Sequence, residues 1–262
     1  MKYFSKTEAP RVTVDIVIFT IDPVRSSKEE LLGKGGTVET DSRFSHFFKK
    51  RTTLTSNGVD DGRLKILLVK RRLEPFKGAW ALPGGFIKKG ENLSDAAARE
   101  LKEETGVSSA YLEQLYTFGD PKRDPRGRVI TVAYFALMHR KKLKIKASSD
   151  ASEAKLFSVS SLPRLAFDHR NILAYALTRL RNKIQYTNAV WSILPEYFTL
   201  GEIQNVYETI WGRKMDKRNF RKKLLSLGLL MPAGKIKKGF RQRPAKLYQF
   251  KTKKYVELKR FF

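Results

Sequence analysis

Four charged side chains in one short segment could hold a metal ion against a phosphate group. Glu100, Glu103 and Glu104 stand at positions i, i+3 and i+4, and Arg99 precedes the first of them. On an α-helix the three glutamates share one arc about 100° wide. Like charges so placed repel one another by a few tenths of a kcal/mol per pair, and a hard cation such as Mg²⁺ removes that cost. The spacing therefore predicts a divalent-metal site.

The residues around this cluster predict the elements that would position it. Gly84, Gly85 and Gly90 permit a tight loop, a helix is expected over residues 92–105, and Gly106 suits the C-terminus of that helix. A solvated acidic face is the ordinary explanation of a Glu-rich helix. Here the whole pattern Gly-x5-Glu-x7-Arg-Glu-Leu-x-Glu-Glu-x-Gly-Val is filled, which favours a functional loop–helix–loop.

This segment, from Gly85 to Val107, resembles the Nudix box. The resemblance implies that Glu100, Glu103 and Glu104 bind Mg²⁺ or Mn²⁺, and that Glu103, Glu104 and Arg99 are the catalytic residues. Members of that family typically hydrolyse a nucleoside diphosphate linked to another group, with the metal neutralising the pyrophosphate and activating water. Nothing in the box departs from the pattern.

Composition limits the class of protein. A chain of 262 residues with 41% hydrophobic residues can form one large or two modest domains with a real core. It has no cysteine, no apolar run of 18 residues and no signal-peptide core near its N-terminus. These features predict no membrane span and are compatible with a reducing cytoplasm.

The order of predicted elements indicates an α/β domain. Arg11–Ile21 is rich in β-branched residues and predicts a buried strand, and Leu64–Lys70 predicts another. Residues 22–62 between them predict a surface insertion. The remaining predicted elements are strands near residues 111–118, 129–138, 141–146 and 155–159, and a helix that Asp168 caps and that runs to about residue 183. Strands interleaved with helices favour an α/β sandwich.

A loop with several arginines follows the predicted strand at 111–118. Arg123, Arg126 and Arg128 could recognise phosphate or ribose by bidentate hydrogen bonds, although a solvated turn with local Asp–Arg pairs has the same composition. Residues 80–86, 119–128 and 166–169 resemble the ADP-ribose-type branch of the Nudix proteins. That resemblance implies an ADP-ribose-like nucleotide as ligand, bound by these arginines and by Gly84 and Gly85.

The charge of the chain is strongly positive and unevenly distributed. The formal net charge is +27, and residues 185–262 hold 18 Lys and Arg against 5 Asp and Glu, a net +13. Almost half of the excess thus lies in less than a third of the chain. Such an excess predicts a polyanionic partner, although a generally basic surface is the alternative.

The basic C-terminal segment carries the order of a winged helix. Apolar spacing predicts a helix over residues 200–211 and a second, capped by Asp216, that ends at Gly228; a basic hairpin follows. A basic second helix could enter a major groove while the hairpin tracks phosphates. The predicted DNA-binding residues are Lys217, Arg218, Asn219, Arg221, Lys222, Lys237, Lys238, Arg241 and Arg243.

Together the two parts resemble the Nudix-related transcriptional regulators of NAD metabolism. The resemblance implies an α/β/α Nudix sandwich with a mixed sheet in residues 1–186 and a winged helix-turn-helix domain in residues 187–262. It also implies a homodimeric repressor that binds a double-stranded operator and senses ADP-ribose. An active Mg²⁺-dependent ADP-ribose pyrophosphatase and a regulator of sugar catabolism with the same architecture are the alternatives, and the intact box leaves catalysis open.

Overall fold

The computed structural model of this chain describes residues 9–23, 62–107, 111–145, 151–239 and 242–258. The predicted insertion at 22–62 lies almost wholly outside the described residues. The described residues form two compact units: the first takes those within 9–20, 65–158 and 162–177, and the second those within 21–23, 62–64, 159–161 and 178–258. None of the helices in this part of the chain has the length and apolar character that crossing a bilayer requires.

The first unit is built on a seven-stranded mixed sheet. Its central order is β3-β2-β1-β6-β5, with β4 paired to β1 and β7 paired to β2. Strands β1 and β6 are parallel, and the pairs β1–β4, β2–β3, β2–β7 and β5–β6 are antiparallel. The strands are β1 (Arg11–Ile21), β2 (Leu64–Arg71), β3 (Trp80–Ala81), β4 (Gly84–Phe86), β5 (Tyr111–Phe118), β6 (Val129–Leu137) and β7 (Ala151–Ser158).

Strand β1 lies at the centre of this sheet because both of its faces can be buried. Ile16, Val17, Ile18 and Phe19 are all 0% exposed. A strand covered on both sides reads as a continuous apolar run rather than as an alternating one. Each such side chain contributes about 1.5–3 kcal/mol of burial free energy. The predicted strand at Arg11–Ile21 is confirmed to the residue.

Two helices follow the predictions closely. Helix α1 spans Leu93–Thr105 and ends at Gly106, whose φ of 68° is the left-handed cap conformation. Its buried face, with Ala97 and Leu101, packs in a core cluster with β1 and β6. Helix α2 spans His169–Lys183, and it buries Ile172, Leu173, Ala176, Leu177 and Leu180.

Two predicted strands differ from the structure. The strand expected at Lys141–Lys146 is wrong over its described residues: Arg140–Lys142 form a 3-10 turn. The amide of Lys144 donates to the carbonyl of Thr105 at the end of α1, so the backbone of this segment bonds to a helix terminus and not to a strand. Strand β7 begins at Ala151, earlier than the predicted residue 155, because its pairing with β2 continues through a bulge at Lys70/Arg71.

The second unit has the predicted order of helix, turn, helix and hairpin. Helix α3 spans Leu200–Trp211, helix α4 spans Lys217–Ser226, and strands β8 (Leu230–Gly239) and β9 (Gln242–Phe250) form an antiparallel pair. A reciprocal capping box between Thr199 and Glu202 starts α3. The carboxylate of Asp216 accepts the amide hydrogen of Asn219 at 2.7 Å, as expected of the cap of α4.

Residues 254–258, here called the returning segment, close the second unit on itself. The side-chain amide of Asn188 donates to the carbonyl of Lys254 at 2.9 Å, and its oxygen accepts from the amide of Val256 at 2.9 Å. The amide of Leu258 donates to the carbonyl of Tyr186 at 2.7 Å. The segment before α3 is thereby joined to the one after β9.

Candidate functional site

Helix α1 places the predicted carboxylates around Arg99. The guanidinium of Arg99 contacts Glu91 at 2.7 Å and Glu100 at 2.6 Å, and Glu103 lies at 3.5 Å. Hydrogen bonds from Arg99 and from the amide of Lys88 lower the pKa of Glu91 to about 2. Burial raises the pKa of Glu100 above its usual value, although Arg99 opposes that effect. Arg99 thus contacts three carboxylates of the acidic cluster, and its catalytic role stays a prediction.

The glycines before α1 allow the backbone to approach this cluster. A Cβ on Gly85 would collide with Oε1 of Glu100, and a Cβ on Gly84 would collide with the carbonyl oxygen of Val14. At Gly84 the obstacle is backbone, so β4 can pair with β1 only with glycine there; at Gly85 it is the end of the Glu100 side chain, which a Cβ would displace. The absence of a side chain at Gly85 thus leaves room for the Glu100 carboxylate, with no contribution from a ligand.

A cavity in the first unit opens beside the acidic helix. Among the predicted site residues, Gly84, Gly85, Glu104, Arg123 and Arg126 line it. Glu104 is 3% exposed, so its carboxylate belongs to the cavity wall and not to the outer surface. Several further lining residues were not predicted as site residues, among them Asp15, Arg71, Glu74, Asp124 and Phe167.

Arg123 holds the arginine loop against two other elements. Its guanidinium donates to both carboxylate oxygens of Asp168, at 3.1 and 2.9 Å, and lies 3.4 Å from Asp15. The side chain of Arg123 is only 3% exposed. Asp168 precedes α2 as predicted, and its carboxylate binds Arg123. The loop, β1 and the start of α2 therefore meet at one buried charged group.

The other two loop arginines are placed differently. Arg126 forms a two-pronged pair with Asp124, at 3.0 and 2.7 Å, and its guanidinium carbon lies 5.4 Å from the centre of the Phe86 ring. Arg128 is exposed, and it donates to the carbonyl of Gly119 at 2.5 Å. Arg126 faces the cavity, whereas Arg128 is not among the lining residues.

His169 is buried in the wall of the same cavity. Its Nδ1 accepts the amide hydrogen of Leu82 at 2.9 Å, so the neutral ring carries its hydrogen on Nε2, which lies 3.6 Å from Asp15. Burial lowers the pKa of His169 below its usual value despite the neighbouring carboxylates of Asp15 and Asp168. The Leu82 amide therefore fixes the orientation of the His169 ring, with Nε2 on the side of Asp15.

The donor set around α1 fits a metal that keeps part of its water shell. Within the described ranges no three acidic or histidine side chains are grouped closely enough to form a complete protein cage. Mg²⁺ commonly takes one or two carboxylates, several waters and substrate phosphate oxygens. Glu104 in the cavity wall and Glu100 beside Gly85 satisfy that smaller requirement.

In the second unit, a buried carboxylate fixes the turn between α3 and α4. Glu208 is 7% exposed and accepts from the side chain of Gln204 at 2.9 Å, from the amide of Met215 at 3.1 Å and from Lys214 at 3.1 Å. Burial acts to raise the pKa of Glu208, but these hydrogen bonds together lower it. The turn that orients α4 is thus held by one ionised side chain.

Helix α4 buries one face and exposes its basic face. Phe220 and Leu224 are each 1% exposed. The predicted residues Lys217, Arg218, Asn219 and Lys222 are exposed, and Arg221 is half-buried. The basic surface predicted for this helix is therefore present.

The predicted residues of the hairpin are only partly described. Lys237 is exposed and forms an ion pair with Glu202 at 2.6 Å. The side chains of Lys238 and Arg243, and the whole of Arg241, lie outside the described residues. Lys237 thus ties the hairpin to the first turn of α3.

Comparison with known proteins accounts for both units. A model of the NUDIX domain matches residues 56–176, and a model of the NrtR DNA-binding winged helix domain matches residues 190–250. The "ADPR responsive transcriptional repressor NtrR" of Acinetobacter baylyi is 42% identical over 200 residues, which cover 75% of this chain and 80% of that protein. The chain belongs to the NrtR family of Nudix-related transcriptional regulators.

Other similar proteins agree with membership of the NrtR family. The crystal structure of Shewanella oneidensis NrtR complexed with a 27mer DNA has 33% sequence identity and a TM-score of 0.70, and the match covers 92% of this chain and 93% of that one. An ADP-ribose pyrophosphatase of Methanocaldococcus jannaschii is 44% identical over 117 residues, 45% of this chain and 68% of that protein. The predicted fold class is confirmed. The predicted boundary at 186/187 and the roles of individual site residues stay predictions.

Proposed function

We propose that this protein is a transcriptional repressor that binds an operator through its second unit and senses ADP-ribose, or a related nucleotide sugar, in its first. One observation carries the proposal: a single chain combines a cavity walled by Glu104 and arginines with an exposed basic helix, α4. The printed descriptions of its relatives, an ADPR responsive repressor and a DNA complex, support the same conclusion. Control of NAD metabolism is part of this proposal.

The acidic helix would serve the phosphate end of such a ligand. Glu104 and Glu100 would hold Mg²⁺ or Mn²⁺, and the exposed Glu103 would complete the set. The bound cation would neutralise pyrophosphate charge. Arg99 keeps Glu91 and Glu100 oriented, and Arg126 adds positive charge to the cavity wall. A sensor requires only that these residues bind and orient the ligand, and it does not require hydrolysis.

The basic helix would read the operator. Lys217, Arg218, Asn219, Arg221 and Lys222 belong to α4, whose opposite face is buried by Phe220. A helix docked in the major groove would be accompanied by the hairpin on the phosphate backbone. We propose that the protein acts as a homodimer, because two half-sites must be spaced by the protein and a ligand that changes their spacing would weaken binding.

A mobility-shift titration tests this function. The full-length protein is titrated onto DNA from upstream of its own gene, with Mg²⁺, in the presence and absence of ADP-ribose and with adenosine as control ligand. A specific shift whose affinity changes with ADP-ribose but not with adenosine is expected. A specific shift that neither ADP-ribose nor another nucleotide sugar alters would overturn the sensor, and one that responds to a sugar instead would favour the regulator of sugar catabolism.

Hydrolysis is the second candidate function, and the intact acidic cluster favours it. Glu104 lines the cavity in which a pyrophosphate would bind, and Glu103, its neighbour on α1, contacts Arg99. Incubation with ADP-ribose and Mg²⁺ should then release AMP and ribose 5-phosphate, and Glu104→Gln should abolish that release while preserving side-chain volume. No turnover by the wild type would leave the site as a sensor only.

A further inference from the structure

Three arginines line the cavity, and two of them are already paired with carboxylates. Arg123 is held by Asp168 and Asp15, and Arg126 is held by Asp124. An arginine whose hydrogen-bond donors face protein carboxylates has less to offer a phosphate, because the ligand must compete with those carboxylates. The charge of these two side chains is largely balanced before a ligand arrives.

Arg71 at the end of β2 is placed differently. Its Nε donates to the carbonyl of Pro75 at 2.7 Å, and its Nη2 lies 3.5 Å from the carbonyl of Leu73. Across the residues that the structure describes, no carboxylate oxygen lies within the 4.0 Å of an ion pair with it. Two neutral carbonyls use two of its five N–H donors, and its charge has no direct counterpart.

The surroundings of Arg71 disfavour a positive charge that is not balanced. Burial is the largest influence and lowers its pKa, and the neighbouring guanidinium of Arg126 lowers it further. Asp124, Asp15 and Glu74 act in the opposite direction without cancelling the effect. An anion that entered the cavity would relieve this cost, which is the usual logic of a prepared anion site.

Phe167 gives the arrangement a rigid support. Its φ of 50° is in the left-handed region, which is costly for a residue with a Cβ and clusters at ligand sites. The ring lies 4.8 Å from the guanidinium carbon of Arg71 and 5.6 Å from that of Arg126, and it packs against Phe76. Cation–π contacts with this one ring therefore join the guanidiniums of two residues that line the cavity, Arg71 and Arg126.

We propose that Arg71 is the principal phosphate-binding cation of this cavity, with Phe167 orienting its guanidinium. The planar fork of arginine matches two oxygens of a phosphate group. In this assignment Arg126 adds charge from its pair with Asp124, and Arg123 positions the loop without touching the ligand. The inference deepens the proposed function and rests on it for the identity of the nucleotide ligand, but not for the class of anion.

Calorimetric titration of the full-length protein with ADP-ribose tests the assignment. Arg71→Gln should weaken binding by about 10- to 100-fold, which corresponds to the loss of charge-assisted hydrogen bonds. Arg71→Lys keeps the charge but not the planar guanidinium, so its affinity should lie between those of the wild type and Arg71→Gln. The matched control is Arg72→Gln, since Arg72 is the exposed neighbour and its substitution changes the net charge equally. That control should bind as the wild type does.

Inorganic pyrophosphate, titrated into the same four proteins, separates this inference from the proposed function. If the wild type binds pyrophosphate in an Arg71-dependent way but does not bind ADP-ribose, the sensor fails and the anion site stands. Equal affinities of Arg71→Gln and Arg72→Gln for either ligand overturn the assignment. So does a wild type that binds neither ligand. Thermal unfolding of each variant checks that a loss of binding is not a loss of fold, and Arg71→Lys carries the test if Arg71→Gln unfolds.

Discussion

Replacing Arg123 with glutamine should reduce the stability of the first unit more than any other substitution in the arginine loop. Arg123→Gln removes the charge that holds Asp168 at 2.9 Å and Asp15 at 3.4 Å. Glutamine is too short to reach both carboxylates. Asp168 at the start of α2 would lose its cationic partner, and Asp15 in β1 would keep the His169 ring, 3.6 Å away.

The size of the effect follows from burial. The side chains of Arg123, Asp15 and Asp168 are 3%, 10% and 13% exposed. Removing one partner of a buried ion pair costs about 3–5 kcal/mol, because a charge is left without compensation. Some water reaches Asp168, so we expect a value near the lower end, about 3 kcal/mol. A loss of about 3 kcal/mol shifts the equilibrium between the folded and the locally unfolded state of the first unit by roughly 150-fold.

Hydrogen exchange read by mass spectrometry locates this loss, since two units need not unfold together. Peptides from β1 and from the first turns of α2 should lose protection, whereas peptides from α3 and α4 provide an internal reference. The control is Arg128→Gln, an exposed arginine of the same loop, expected to change stability by less than about 0.5 kcal/mol. If Arg123→Gln lost ADP-ribose affinity and kept its protection, Arg123 would be a ligand contact and the reasoning would be wrong.

Three further substitutions probe other contacts. Glu208→Ala should destabilise the turn between α3 and α4 by about 1–3 kcal/mol and weaken operator binding. Because the pKa of Glu208 is depressed in the folded state, its contribution to the free energy of unfolding should be present above pH 4.5 and disappear as pH falls through the folded pKa. Acid denaturation of the wild type and of Glu208→Ala measures this difference. Gly85→Ala should displace Glu100 and weaken Mg²⁺-dependent ligand binding in calorimetry; unchanged binding would contradict the close approach. Glu202→Gln keeps an acceptor for the capping box but releases Lys237, so the salt dependence of DNA binding should steepen by about one phosphate contact; an unchanged slope would mean that Lys237 does not reach DNA.

Elements with strong local patterns could be predicted from the sequence. The β-branched run of β1 and the capped, glycine-bounded helix α1 agree with the structure to within a residue. The strand predicted at Lys141–Lys146 is wrong over its described residues: Leu143 and Ile145 pack in the core cluster with α1, while the amide of Lys144 bonds to Thr105 and not to a strand. Periodicity reports which side chains are buried, and it does not report what the backbone pairs with.

The candidate site was harder to predict, because its contacts join distant parts of the chain. The composition of the arginine loop suggested phosphate binding, but Arg123 is paired with an aspartate 45 residues further along. Arg71 ends an ordinary strand, and nothing in its local pattern marks it. Phe167 adopts a backbone conformation that its residue type does not favour. Residues of this kind become visible only when the fold brings them to one cavity.

The returning segment has a consequence for how the second unit is made during synthesis. The turn held by Glu208 depends on contacts between residues close in sequence, so it can form soon after α3 and α4 leave the ribosome. Asn188, however, waits for Lys254 and Val256, which emerge some 66 and 68 positions later. In nascent chains the turn between α3 and α4 should therefore be formed while Asn188 still lacks its contacts with Lys254 and Val256. Those contacts can form only after both residues have left the exit tunnel. For a repressor, the DNA-binding unit would therefore be complete only after the returning segment has left the exit tunnel.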